Sequence, residues 1–321
     1  MQYEPAYPLR FNSEQLEHYR ARLGTVLFEQ RYQVQMRHWR LLHHFERRKT
    51  LRQHFLYRDV YIRWIFEKLG LLKAGRRNML AITVRENRVT LAGLRQPFRL
   101  MHITDPHFGA DAELAEAIQQ AISGLDYDAV ALTGDYRDSK DTDFATSSAY
   151  MQTLLQSLNA PAYLVFGNHD IIEQAVAIEA LEGKRVLFNE AATLTVGQQE
   201  VWLCGVDDPG RFRTHDCAAA LKPVPNGAPS ILLAHTPNII REASHYRFGY
   251  MLCGHTHGGQ VCLPGGQIIL RNSRGPFGSA RGPWQYQGLC GYTSSGVGVV
   301  GVPARFNCPP EIVIHQFEPA S

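Results

Sequence analysis

Gly254-His255-Thr256-His257-Gly258-Gly259 places two imidazoles two positions apart between glycines, directly after the apolar run Tyr250-Met251-Leu252-Cys253. Residues two apart on an extended strand point to one side. Glycine at the strand end also lets the backbone turn until both rings aim at neighbouring points. Neutral imidazole is the commonest side-chain donor for transition metals, so the pair is a candidate metal site. A His-x-His pair alone reads equally well as two ordinary surface or core histidines. Four more short stretches change the balance, because each also follows an apolar, strand-like run. Phe98–Thr104 leads into Asp105-Pro106-His107, and Ala129–Thr133 into Gly134-Asp135-Tyr136-Arg137-Asp138. Ala162–Phe166 leads into Gly167-Asn168-His169-Asp170, and Ile231–Ala234 into His235. Taken singly, Asp105 or Asp135 could cap a helix, Asn168 could serve a turn, and His235 could be a hydrogen-bonded core histidine. Together they offer only Asp, Asn and His donors, all at the carboxyl ends of strands, where α/β proteins place their sites.

Such loops need a scaffold, and the pattern from Asn78 onward supplies one. Leu80–Val84 and Arg88–Leu91 alternate around Glu86-Asn87, which predicts a hairpin. Strands over 98–104, 129–133 and 162–166 then alternate with helices over Ala112–Ser123, Thr146–Leu158 and Ile171–Leu181. After Val186 the chain becomes strand-rich: Ala192–Val196, Val201–Val206, Ile231–Ala234, Tyr250–Cys253, Gln267–Leu270 and Ile312–Gln316. An αβ alternation followed by a β-rich half implies an α/β fold of two stacked mixed sheets with helices outside.

The 321 residues can bury a large core, and the net charge of +3 is unevenly spread. Residues 1–80 hold 16 Lys+Arg against 7 Asp+Glu, whereas the remainder holds 17 against 23. This suggests a basic helical arm, residues 1–77, joined to a catalytic body, residues 78–321. Residues 12–50 read as one or two helices opening at the Asn12-Ser13 cap. Residues 51–72 read as another, with Arg52, Asp59, Arg63 and Glu67 on one stripe and aromatic and apolar residues on most of the rest. Two readings stay open for it: a helix packed on the body, or one lying in an anionic membrane surface. No nucleic-acid motif accompanies the basic arm, so nucleic acid is not an expected partner. The start of the chain lacks a signal-peptide pattern, and the charge-free stretch 248–270 is too rich in glycine and histidine to span a bilayer. Six scattered cysteines without a CxxC pair read as reduced and cytosolic.

In this order D-x-H, G-D-x-x-D, G-N-H-D, H and G-H-x-H resemble the calcineurin-like metallophosphoesterase superfamily, over about residues 98–260. Ser294-Ser295-Gly296-Val297-Gly298 and Phe306-Asn307-Cys308-Pro309-Pro310-Glu311 are similar to its bacterial membrane-associated members. Those include a branch that hydrolyses UDP-2,3-diacylglucosamine in lipid A synthesis. The resemblance implies a four-layer αββα fold and two divalent metal ions, Mn before Fe or Zn. It assigns Asp105, His107, Asp135 and His257 to one ion. Asp135 then bridges to a second held by Asn168, His235 and His255. His169 becomes the non-ligand histidine that serves the leaving group, and Asp138 the carboxylate that orients it. Asp170 reads as a supporting residue. Where phosphoprotein phosphatases carry a phosphate-binding arginine after G-D-x-x-D, this chain has Ser139; Arg137, Arg271, Arg274, Arg281 or Arg305 could replace it. The expected activity is hydrolysis of a phosphodiester or pyrophosphate bond. A lipid-linked substrate at the cytoplasmic face of the cell membrane leads. A soluble phosphodiesterase and a metal-bound, non-catalytic scaffold are the alternatives.

Overall fold

The computed structural model describes residues 11–47, 61, 63–109, 111–138 and 144–320. Its strands form two six-stranded sheets. The first runs, in spatial order, β1 (Thr83–Leu91), β12 (Glu311–Pro319), β2 (Phe98–Ile103), β3 (Ala129–Leu132), β4 (Ala162–Leu164) and β5 (Lys184–Val186). The second runs β10 (Gly282–Tyr286), β11 (Leu289–Thr293), β9 (Tyr250–Cys253), β8 (Ser230–Leu233), β7 (Gln199–Gly205) and β6 (Glu190–Val196). In the first sheet β2 to β5 are parallel, and β12 pairs antiparallel with β2. In the second, β7, β8, β9 and β11 are parallel.

Period-two alternation explains the layering. Along β2 and β3, Leu100, Ala129 and Ala131 face the inter-sheet core. Met101, Ile103, Val130 and Leu132 face the helices on the other side. Along β8, Ile231 and Leu233 enter the inter-sheet core while Leu232 enters the outer cluster with α7 (Cys217–Leu221) and α8 (Ile240–Ala243). The helices on the first sheet are α4 (Ala112–Ile122), α5 (Phe144–Ser157) and α6 (Gln174–Glu179). Asp111 caps α4 by accepting from Leu114 N, and Leu114, Ile118 and Ile122 form its buried stripe. A further helix, α3 (Leu72–Leu80), leads into β1.

The basic segment at the start is docked on this body. Asn12 and Gln15 form a reciprocal cap for α1 (Ser13–Leu23), and Gly24, at φ 81°, separates it from α2 (Thr25–Arg47). Tyr19, Leu23 and Phe28 are buried in the same cluster as Ile172 and Phe188. Each such side chain contributes roughly 1.5–3 kcal/mol. Arg22 reaches Glu179 and Glu190. Of the helix expected over 51–72, residues 51–60 and 62 lie outside the described residues. Residues 63–68 are helical, and Phe66 meets Phe306 edge-on at 5.4 Å. No helix among the described residues is long and apolar enough to cross a membrane.

The structure corrects three local expectations. The hairpin over Leu80–Leu91 is absent: β1 is one continuous strand paired in parallel with β12, from Thr83↔Glu311 to Leu91↔Pro319. Glu86-Asn87 lacks the glycine of a tight turn, and the Asn87 amide is used instead on Tyr250 and His315. Gln267–Leu270 is not a strand; Ile268 bridges Cys262, while Ile269 and Leu270 are exposed. The helix expected over Ile171–Leu181 is the shorter α6, because the Gln174 side chain accepts from Ile171 N and holds a turn there. The short strands β5, β10 and β11 were not anticipated.

Candidate metal centre

The loops leaving β2 and β3 are zipped together by their backbones. Asp105 N donates to Gly134 O at 3.0 Å, His107 N to Asp135 O at 3.0 Å, and Phe108 N to Tyr136 O at 2.8 Å. The loop after β4 joins through Asp170, whose carboxylate accepts from Asp135 N (2.7 Å), Tyr136 N (2.9 Å) and Gly167 N (2.8 Å). Glycine is required at two close approaches. A Cβ on Gly167 would lie 2.3 Å from Asp135 Oδ1, and one on Gly254 would lie 2.3 Å from Asp105 Oδ2. Asp105, His107, Asp135, His255 and His257 all adopt left-handed backbone, with φ of 54°, 45°, 55°, 71° and 51°. Non-glycine residues rarely sit there, and such strain gathers at functional sites.

The side chains converge from both sheets. Asp105 Oδ2 accepts from Thr104 Oγ1 (2.8 Å) and His255 N (2.9 Å). Its buried Oδ1 has no hydrogen-bond partner and faces His257 Nε2 at 3.6 Å and His107 Nε2 at 3.7 Å. Those two nitrogens are 3.1 Å apart. Asp135 Oδ1 accepts from His169 N at 2.8 Å. Its Oδ2 lies 3.2 Å from His235 Nε2, 3.6 Å from His107 Nε2 and 3.8 Å from His169 Nε2. His235 Nε2 in turn lies 3.1 Å from His255 Nδ1 and 3.2 Å from Asn168 Oδ1. All seven residues expected as ligands are therefore brought together, with Asp135 between two groups of donors.

These donors suit cations. Backbone carbonyls fix two rings: Arg137 O faces His107 Nδ1 at 3.2 Å and Thr133 O faces His235 Nδ1 at 2.8 Å. A ring that donates from Nδ1 presents its Nε2 as a lone pair, the arrangement found around metal-bound histidine. The lone pairs, together with the unpartnered Asp105 oxygen, converge where a positive charge satisfies them. Three groups of donor atoms lie within 4.8 Å of one another: Asp105, His107 and His257; His107, Asp135 and His169; Asp135, His235 and His255. Burial depresses His235, but the Asp135 carboxylate overrides it and lifts the ring to about 10. Burial raises Asp135, yet His235 and His169 hold it well below the usual carboxylate range. Burial pushes His257 down to about 3 against the pull of Asp105.

A family model for calcineurin-like phosphoesterases matches residues 98–259. The chain belongs to that family. It is 28% identical to the uncharacterised metallophosphoesterase YkoQ of Bacillus subtilis, over 69% of this chain and 84% of that one. It is 28% identical to phosphodiesterase YaeI of Escherichia coli, over 68% of this chain and 81% of the other. It is 31% identical to an uncharacterised metallophosphoesterase of Aquifex aeolicus, over 67% and 83%. The chain is thus a hydrolase of phosphoric esters, and its clustered His and Asp side chains fit divalent metal ions.

Within this calcineurin-like centre His169 is partly buried, and its Nδ1 has no hydrogen-bond partner. Asp138, which the resemblance sets behind His169, is held in the neighbouring loop by its backbone N–H, which donates to Phe108 O at 3.1 Å. Ser139 lies outside the described residues. Three of the candidate arginines hold backbone carbonyls: Arg271 bonds to Gly275 and Pro276, Arg281 to Gly266, and the fully buried Arg305 to Ser295 and Gly296. Arg274 is exposed and is tied through its backbone to Asn238 and Arg241.

Two residues were missed from the sequence. Arg211 follows Val206-Asp207-Asp208-Pro209-Gly210, and His38 lies on α2. Burial, then Arg211 and Arg137, push His38 down to about 4; burial also holds His169 low against the pull of Asp135, with His107 and Arg211 adding to it. The available signal was another strand exit, after the run Val201–Val206.

Proposed function

We propose that this chain is a dinuclear metal-dependent phosphoesterase that cleaves a phosphodiester or pyrophosphate bond. Asp105, His107, Asp135 and His257 would hold one ion, while Asp135, Asn168, His235 and His255 would hold the other. The observation that carries this reading is the position of Asp135 Oδ2, within 3.6 Å of both His107 Nε2 and His235 Nε2. A carboxylate placed there can serve two cations and lower their joint charge. When bound, the ions supply Lewis-acid polarisation of the phosphoryl group and an activated water nucleophile near neutral pH. Mn is the preferred metal, with Fe or Zn as alternatives, because imidazole-rich sets suit these ions better than Mg or Ca.

The chain's own residues do the positioning. Asp170 ties three backbone N–H groups from two loops and so sets the direction of Asp135. His107 and His235 are locked by the carbonyls behind them. His169 stands beside the centre, its ring 4.9 Å from that of His107 and perpendicular to it. It hands a proton to the departing oxygen or steadies charge there. Asp138, in the neighbouring loop, orients His169.

A lipid-linked substrate such as UDP-2,3-diacylglucosamine, met by a protein peripheral to the cytoplasmic face of the membrane, is the preferred substrate class. The Asn272 amide lies 3.5 Å from His255 Nε2, and the segment around it carries the exposed apolar residues Ile269, Leu270 and Phe277. The positive excess in residues 1–77 adds attraction to anionic lipid. The burial of Tyr19, Leu23 and Phe28 favours the second reading, a phosphodiesterase of water-soluble substrates with the arm as a packed cap. Hydrolysis of UDP-2,3-diacylglucosamine with Mn²⁺, followed as UMP release, separates the two. No turnover of it alongside good turnover of bis(p-nitrophenyl) phosphate removes the lipid claim.

A further inference from the structure

The strands β7, β8 and β9 are parallel neighbours, so their carboxyl ends share one edge of the second sheet. The exits of β8 and β9 carry His235, His255 and His257. The exit of β7 carries Asp207-Asp208-Pro209-Gly210-Arg211, none of which the metal centre uses.

This exit is firmly built. The Asp208 carboxylate accepts from Gly210 N (2.9 Å), Arg211 N (2.7 Å) and Phe212 N (2.9 Å), closing a tight turn. Helix α2 clamps it from outside. The Gln30 amide donates to Phe212 O at 2.9 Å and Arg213 O at 3.2 Å. Arg31 Cζ lies 3.9 Å over the Phe212 ring, and Arg31 forms a fully buried ion pair with Asp207 at 3.1 Å.

The turn therefore holds the Arg211 backbone rigidly while its guanidinium makes no ion pair or side-chain hydrogen bond among the described residues. Its surroundings explain why that matters. Burial pushes the Arg211 guanidinium below the ordinary arginine range; Asp135 and Asp208 pull the other way, and Arg137 and Arg31 add to the push. Arg31, stacked on Phe212, also donates to Asp170 O at 3.2 Å, so this turn lies beside the loop of Asn168 and His169, and His38 follows two helical turns beyond Arg31 on the same face of α2. A guanidinium held without a partner in a half-buried place is costly unless an anion joins it, and guanidinium is the side chain best matched to phosphoryl oxygens. His38, neutral at pH 7, can add a ring N–H.

We propose that Arg211, with His38 from α2, forms a second anion subsite that holds the non-scissile phosphoryl group of a substrate with two linked phosphoryl groups. This rests on the phosphoesterase reading of the neighbouring metal centre and extends it. The subsite selects a pyrophosphate-type substrate over a simple diester, and it makes the N-terminal helix a working part of the active site.

Titration calorimetry of UMP and UDP into the Mn²⁺-loaded full chain tests this, with Arg211→Gln and Arg211→Lys as variants and thermal melts as a check on folding. The wild type is expected to bind UDP at least about tenfold more tightly than UMP, the worth of a charge-assisted hydrogen bond. Arg211→Gln should lose most of that preference and Arg211→Lys should keep part of it. A wild type that does not favour UDP overturns the subsite. So does an Arg211→Gln variant that keeps the full preference, or one that weakens UMP and UDP equally. Hydrolysis of bis(p-nitrophenyl) phosphate run in parallel separates the two claims. Absent turnover with a retained UDP preference defeats the phosphoesterase reading only, whereas turnover without a UDP preference defeats the subsite only.

Discussion

Asp135 concentrates the chemistry, and Asp170 holds Asp135 in place. Three N–H groups end on the Asp170 carboxylate, from Asp135, Tyr136 and Gly167. Burial, with the nearby Asp135 charge, lifts that carboxyl to about 6. Asp170→Ala is expected to weaken metal affinity on the order of 10–100-fold, the usual effect of losing a partner behind the ligands. Metal titration followed by elemental analysis reads this out, and unchanged affinity would show that the three N–H groups hold the loop without help. His169→Ala should behave differently. Its metal content is expected to stay near normal while kcat falls about 10²–10⁴-fold. Equal loss of metal and activity would instead make His169 a ligand. Gly167→Ala should empty the centre despite adding one carbon, because that carbon meets Asp135 Oδ1 at 2.3 Å; full metal occupancy in that variant would contradict the close approach.

At the scale of elements, α2 is the brace that joins the β4 and β7 exits. Arg31 pairs with Asp207 and also donates to Asp170 O at 3.2 Å. Arg31→Met leaves a carboxylate buried without its partner and should cost about 3–5 kcal/mol, seen as a lower denaturation midpoint. Arg31→Met with Asp207→Leu should recover much of that loss; a double variant as unstable as the single one would assign the effect to packing. The strand exits were legible because strand-like runs of four to seven residues stop at glycine, at Asp-x-His or at a histidine, a local pattern. The neighbours of each strand were not. Nothing near Thr83 announces that its partner is Glu311, so the alternation around Glu86-Asn87 read as a hairpin. The left-handed backbone of Asp105, His107, Asp135, His255 and His257 was equally hidden, since tertiary contacts impose it on residues that seldom choose it. Arg211 escaped because a search for Asp, Asn and His donors passes over arginine. Only the neighbouring charges, brought in by folding, give that side chain its meaning.

For the whole molecule, dialysis against a chelator should abolish phosphodiester hydrolysis, and Mn²⁺ should restore it; activity that survives verified metal removal would refute metal dependence. The sheet order also sets a timetable. Thr83 and Pro310, joined by hydrogen bonds at the start of the β1–β12 ladder, are 227 positions apart. β12 lies between β1 and β2, and Glu311 N donates to Gly296 O, in the segment whose Val297 and Gly298 N–H groups fasten Thr104 and Asp105. A ribosome delivers residues in order, and domains gather as they emerge. Both β1 and β2 therefore wait, each with an open flank, until residues 311–319 leave the exit tunnel. The Asp105 loop takes its final shape only then, so a half-made chain lacks the finished cage of donors that a divalent ion needs and is harmless to the esters around it.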